Sequence, residues 1–340
     1  MVATILEHVS IASYSTFRMG GTVRYFTEIT HEKDIPEVLA FAKDHQLAVI
    51  VLGGGSNTLF LNDNLDVLVI KIQIKGYTWD ESTSSVVVTV GAGEVWDDFV
   101  KETVRRGLSG IEALSLIPGS VGGTPVQNVG AYGQEVKNSI ISVRAFDMKL
   151  GEIVTFTNEM CLFAYRDSIF KHFPNRYIIT SVVFVLSKQV PAIPNYPGVS
   201  RYFETHKIDH PSLEDIRTAI CTIRQMKLPD PKEIASVGSF FKNPFISTHQ
   251  AEELKKQYPN AVLFPVDENT TKVGAGWLID ALGLKGKVFG NLSLYPANAL
   301  VIVNNGNATG EELKNLVSHI QKLVKSTFHI DIEPEPVFVE

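Results

Sequence analysis

Cysteine is scarce in this chain, and neither a run of one charge sign nor a long apolar run interrupts its 340 residues. The two cysteines, Cys161 and Cys221, stand in separate segments and form no CxxC pair. That excludes a disulfide-stapled scaffold and a cysteine-rich zinc module, and reduced, buried thiols are expected. No cluster of Lys or Arg stands out against a net charge of −6, so nucleic acid is not expected as the main ligand. No stretch approaches the roughly 20 apolar residues of a membrane span. The opening MVATILEHVS has no basic segment ahead of an apolar core, so no secretion signal is expected and the cytoplasm is the expected compartment. Of nine histidines only His206 and His210 fall at helical i, i+4 spacing, with no Cys or carboxylate in a zinc-motif position beside them. A solvated helix face, and no metal, is the expectation.

What is present is an ordinary globular composition, 44% hydrophobic and 20% charged, on a chain long enough for two or three domains. The segment VLGGGSNTLF (51–60) places three adjacent glycines between two apolar runs. Glycines in a row expose backbone N–H groups, a means of cradling phosphate. A P-loop would close with Lys-Ser/Thr, where Asn57-Thr58 stands instead, and a Rossmann fingerprint would need glycine at position 58 and a helix after it. The residues alone leave two readings, a bare nest of amides or a plain tight turn after a strand.

Helices are expected at 35–42, 95–106, 213–227, 248–257 and 276–282, and strands at 48–52, 58–61, 67–72, 86–90, 140–146, 153–156, 177–186 and 299–303. Thr309 and Glu312 form a capping box ahead of a long C-terminal helix. The stretch 187–197 reads as a proline-rich loop, and Leu228-Pro229-Asp230-Pro231 as a domain junction. A second glycine segment, IPGSVGGTPVQNVGAYG (117–133), holds five glycines and two prolines, too irregular for helix or sheet. Long structured loops of this kind are commonly functional. Two such loops after α/β elements suit the two ends of one elongated ligand, a dinucleotide.

These motifs carry a resemblance. STFRMGG (15–21), GGGSNTLF (53–60), IPGSVGGTPVQNVGAYG (117–133), YRDSIFK (165–171), KLPDP (227–231), GSFFKNP (238–244), AGWLID (275–280) and EPE (333–335) occur in this order. From about residue 10 onward the chain closely resembles the UDP-N-acetylenolpyruvoylglucosamine reductase family, in its longer type with a tyrosine loop. The glycine loops alone resemble only the wider vanillyl-alcohol-oxidase type of FAD domain.

The resemblance implies an α+β protein. It would comprise FAD-binding subdomains at 10–70 and 71–228, with 330–340 returning to the active site, and a smaller substrate-binding domain at 229–329. It implies FAD as cofactor, NADPH as hydride donor, and a UDP-sugar substrate sharing one site with NADPH in a cytoplasmic monomer of cell-wall synthesis. By the same resemblance, Ser239 is the proton donor, Glu335 and Arg166 stabilise charge, and Tyr196, Lys227, Asn243 and Lys285 bind substrate. Phe240 and Phe241 would keep water from Ser239, and Glu333 would face away from the site. The cofactor would run along Gly53, Gly54, Gly55, Ser56 and Asn57, then Pro118, Gly119, Ser120, Gly122, Gly123 and Thr124. Asn128, Gly130, Ala131, Gly133 and Arg224 complete the cofactor set.

Two departures stand out. An Arg expected two residues after the catalytic Glu is Val337, for which Arg224 is a possible substitute, and a diphosphate-clamping Tyr is Phe264. Two other functions remain open on the residues. An oxidase on the same FAD domain often carries a flavin-linking His, and 117–133 contains none. A non-catalytic UDP-sugar sensor would be suggested by loss of Ser239 or Glu335, and both are present.

Overall fold

A computed structural model describes residues 3–189, 191 and 193–340. Val190 and Ala192, in the stretch expected to be a proline-rich loop, lie outside the described residues. The chain groups into two compact units that interleave in sequence. The first takes residues up to 9, then 23–55 and 64–224; the second takes 10–22, 56–63 and 225–340.

In the first unit a four-stranded sheet runs in the order Ile5–Ser10, Thr22–Ile29, Asn64–Ile72, Ala48–Leu52. Its last two strands are parallel, with Ala48 opposite Val67 and Leu52 opposite Lys71. The helix Ile35–Asp44 precedes Ala48–Leu52, opens with proline in its first turn and buries Ile35, Val38 and Ala42. A five-stranded antiparallel sheet follows, in the order Glu152–Thr157, Ile140–Asp147, Tyr177–Ser187, Ser85–Gly91, Tyr77–Glu81. Against it packs the helix Trp96–Arg105, whose buried Trp96, Phe99, Val100, Thr103 and Val104 form one stripe. Phe99 meets Phe184 of the central strand at 5.1 Å between ring centroids. In the helix Leu213–Lys227, Ile216, Ala219, Ile220 and Ile223 are buried at helical spacing, clustered with Val199 and Phe203 of the helix Pro197–His206. That shorter helix ends at His206 because Lys207 turns left-handed, with φ 55°, so His210 lies off the helix and the expected histidine face does not form. Cys161 is buried and Cys221 only half-buried, and both are free thiols.

The second unit holds a sheet in the order Ser236–Ser239, Val301–Asn304, Leu292–Leu294, Val288–Phe289. A smaller sheet orders Phe245–Ser247, Thr270–Val273, Leu263–Pro265. The helix Gly310–Phe328 opens with the expected capping box and buries Leu313, Leu316, Val317, Ile320, Val324 and Phe328. The strand expected from 299 begins only at Val301.

The motif STFRMGG works here as a clasp. Ser15 Oγ donates to the Thr58 carbonyl and Thr16 Oγ1 to the Ser236 carbonyl, while Arg18 Nη2 donates to the Pro231 carbonyl of KLPDP. Buried Asn304 reaches back with Nδ2 to the Phe17 carbonyl at 3.0 Å and accepts from the Gly306 N–H through Oδ1. Asn304→Ala would leave a buried carbonyl unmatched, a loss of about 1–3 kcal/mol. Denaturant unfolding should show that loss; a change below about 0.5 kcal/mol would mean that the clasp contributes nothing through this residue.

Candidate active site

The first glycine loop meets the second by main-chain contact. A Cβ on Gly54 would stand 2.6 Å from Gly119 Cα and 3.0 Å from the Ser120 nitrogen, and one on Gly53 would stand 2.5 Å from Ser120 Oγ. A side chain at Gly54 would force the two backbones apart, and one at Gly53 would displace the Ser120 hydroxyl. The second loop is in turn fastened to the strand–helix corner at 92–96. Trp96 N donates to the Gly119 carbonyl, Val121 N to that of Glu94, and Gly122 N to that of Ala92. Gly55 and Gly119 take φ 64° and 129°, which completes two tight backbone turns facing one another.

One polar atom in this cradle is left over. Ser120 Oγ is buried and has no hydrogen-bond partner among the described residues. A buried hydroxyl beside glycine amides is what a phosphate oxygen would satisfy, so these residues fit a diphosphate. Other residues expected along the cofactor are engaged internally. Thr124 Oγ1 donates to the Val121 carbonyl, and the side chain of fully buried Asn128 donates to Glu135 and Ala164. The Asn128 side chain is therefore held within the protein.

Arg166 sits in a tight turn closed by reciprocal hydrogen bonds between Ala164 and Asp167. It holds φ 55°, an uncommon conformation for a side-chain-bearing residue, and its Nη2 donates to the Gly130 carbonyl at 2.9 Å. Asp167, the carboxylate next to it in sequence, pairs with His172 at 2.7 Å.

Arg224 lies in the helix Leu213–Lys227, where its Nε donates to the Leu116 carbonyl. Burial lowers its pKa, and the hydroxyl of Tyr132 is its hydrogen-bonded neighbour. Burial pushes the Asp97 carboxyl up, but hydrogen bonds from Arg217 and the Leu116 N–H outweigh it and hold the group below its usual range. The Leu116 peptide, at φ 59°, is thus gripped at both its N–H and its carbonyl just before the second glycine loop. The ring of Tyr196 packs edge-on against Tyr132 at 5.0 Å.

In the second unit Ser239 is presented by an irregularity. The strand Ser236–Ser239 shifts register against Val301–Asn304 between Ser236 and Ser239, and Gly238 takes φ 74° inside that shift. Bulges of this type re-aim a side chain. Ser239 is exposed in its unit, while Phe240 and Phe241 are both buried in the core. The rings therefore anchor the strand beneath Ser239 and do not shield it, contrary to the expectation from sequence.

The C-terminal segment lies alongside. Glu335 N donates to the Phe240 carbonyl at 2.8 Å, and Lys242 N donates to that of Glu333. Asn57 Nδ2 donates to the Glu335 carbonyl at 3.3 Å, and the Asn57 carbonyl accepts from Val337 N at 2.9 Å. Glu333 turns outward to Lys242 with its side chain 76% exposed, whereas Glu335 is half-buried. Main-chain pairing thus brings Ser239, Glu335 and the end of the first glycine loop together.

Residues 230–339 match the family model described as UDP-N-acetylenolpyruvoylglucosamine reductase, C-terminal domain, and residues 23–157 match an FAD binding domain. A UDP-N-acetylenolpyruvoylglucosamine reductase of Pseudomonas aeruginosa is 40% identical over 337 residues, covering 99% of each chain. The chain belongs to the UDP-N-acetylenolpyruvoylglucosamine reductase family. It is accordingly an FAD-dependent oxidoreductase. The fold agrees: the structure of the reductase from Thermus caldophilus gives a TM-score of 0.68 at 23% identity, covering 99% of this chain and 100% of that one. The 6-hydroxy-D-nicotine oxidase of Arthrobacter nicotinovorans gives 0.57 at 11% identity, covering 97% of this chain and 87% of that one, which fits an FAD domain of the vanillyl-alcohol-oxidase type.

Within this reductase-family chain the expected substrate residues differ in their surroundings. Asn243 Oδ1 accepts from the Ala275 N–H at the start of the helix Ala275–Ala281. Lys227 is exposed at the last residue of its helix, and Lys285 is in a surface ion pair with Asp280 at 2.7 Å. Lys272 was not among the residues expected at the site. It is paired with Phe245 on one side and Phe264 on the other, so a cation lies in a row with two exposed rings. Alternation in TTKV, with Thr271 and Val273 buried, was the available signal.

Gly54→Ala should purify folded but without stoichiometric flavin, because its Cβ cannot fit against Gly119. Absorbance near the flavin bands, beside a melting curve, measures this. Fully yellow, folded protein would rule out the loop as the cofactor's seat.

Proposed function

We propose that this chain reduces the enolpyruvyl double bond of UDP-N-acetylenolpyruvoylglucosamine to give UDP-N-acetylmuramate in peptidoglycan precursor synthesis, with NADPH as the hydride donor. FAD, held by the two glycine loops, would supply the chemistry of hydride transfer from NADPH to the terminal alkene carbon. Negative charge then collects on the carbon beside the substrate carboxylate. The Ser239 hydroxyl gives its proton to that carbon, and the resulting alkoxide is reprotonated by water. Arg166 supplies a fixed cation for the charge, and Glu335 hydrogen-bonds at the carboxylate end. Main-chain amides of the two glycine loops hold the diphosphate of the cofactor, and Arg224 is assigned to its flavin side. Lys227, Asn243 and Tyr196 are assigned to the substrate, with Lys272 added and Lys285 left peripheral. NADPH and substrate use one site in turn, and the chain acts as a monomer.

The observation that carries this reading is the hydrogen bond from Glu335 N to the Phe240 carbonyl, beside a register shift that leaves Ser239 exposed. A packing serine would not need that arrangement. Anaerobic NADPH should bleach the bound flavin, and the enolpyruvyl substrate should restore the colour without oxygen. Failure of the substrate to restore it would overturn the assignment.

In the same assay Ser239→Ala should leave bleaching by NADPH near normal and slow reoxidation by substrate at least roughly 10²–10⁴-fold. Equal slowing of both half-reactions would make Ser239 a flavin-positioning residue instead. Phe264→Tyr, which adds a hydroxyl to the ring beside Lys272, should lower the substrate KM more than it changes kcat. A changed kcat at unchanged KM would refute a binding role for this ring.

A further inference from the structure

Asn128 stands inside QNVGAYG, and its side chain bonds within the protein. Its side chain is buried, and its backbone takes φ 43°. Nδ2 donates to Glu135 Oε2 and to the Ala164 carbonyl, each at 3.0 Å, while Oδ1 accepts from Lys137 N at 3.2 Å. One of these contacts, Nδ2 to the Ala164 carbonyl, ties the second glycine loop to the turn Ala164–Asp167, and the other two fix the amide plane against Glu135 and Lys137. That turn carries Arg166, whose Nη2 returns to the same loop at the Gly130 carbonyl. The space between is tight: a Cβ on Gly130 would stand 3.3 Å from Arg166 Nη1 and 3.0 Å from Glu135 Cγ. The guanidinium is thus aimed by two anchors, its own bond to Gly130 and the tie from Asn128 to the backbone of its turn.

We propose that Asn128 is a positioning residue for charge stabilisation, holding the Arg166 turn in register with the glycine loop. The inference rests on the catalytic reading of Arg166. An amide suits the task because it donates twice and accepts once in a single plane. A displacement of about 1 Å in a charged group can cost about 10²-fold in rate.

Asn128→Ala and the isosteric Asn128→Asp, which keeps the volume and removes both donors, would be assayed by stopped-flow absorbance of the two half-reactions. Flavin content and bleaching by NADPH should stay within about threefold of the unmodified protein, and reoxidation by substrate should slow about 10- to 100-fold. In the double variant Asn128→Ala/Arg166→Ala, the asparagine change should add little to the arginine change, because both remove the same interaction. Fully additive losses, or parallel decline of flavin content and both half-reactions, would make Asn128 a general packing residue and overturn the proposal. Unchanged reoxidation in Asn128→Ala would overturn it too. If Arg166→Ala alone leaves reoxidation unchanged, the catalytic reading of Arg166 fails instead, which separates the two failures.

Discussion

Two backbones touch at Gly54 and Gly119, and the first unit's functional loops are arranged around that contact. A peptide can lie this close to another only where no Cβ intervenes, so the glycines set the distance between the loops directly. The approach leaves the Ser120 hydroxyl buried and unmatched, a state that ordinary packing avoids and a bound phosphate relieves. The three main-chain bonds to residues 92–96 keep the second loop from relaxing into the gap.

Left-handed backbone recurs along the chain, and four of the non-glycine residues that take it, Leu116, Asn128, Tyr132 and Arg166, lie in or beside the second glycine loop and the Arg166 turn. Each such residue costs on the order of 1–3 kcal/mol and persists only when surrounding contacts over-determine it. Those contacts are visible: Asp97 and Arg224 on the Leu116 peptide, Asn128 on the Ala164 turn, and Arg166 on Gly130. The second unit uses a different device. There a register shift and Gly238 lift Ser239 out of a strand whose next residues, Phe240 and Phe241, are fixed in the core.

The expected helices and strands formed largely where the periodicity placed them, because buried stripes such as Ile216–Ile223 and the Thr309 capping box act over a few residues. The glycine loops and the outward turn of Glu333 were also visible in the motifs. The row of Lys272 between Phe245 and Phe264 is not legible locally, because its members are cross-strand partners from distant segments. The roles of Phe240 and Phe241 were misread because adjacent residues should face opposite ways in a regular strand, and the irregular backbone here buries both.

The sequence by itself determined the local elements, the position of the two glycine loops and the family, since each depends on residues close together in order. Tertiary structure alone decided that residues 10–22 and 56–63 join the C-terminal unit, and that Glu335 lies beside Phe240 nearly a hundred positions away in the chain. It also decided that the amide of Asn128 bonds to the Ala164 carbonyl, 36 positions away in the chain. Long-range pairing of this kind depends on which backbone groups find partners after the cores have packed, and no local pattern of side chains encodes that choice.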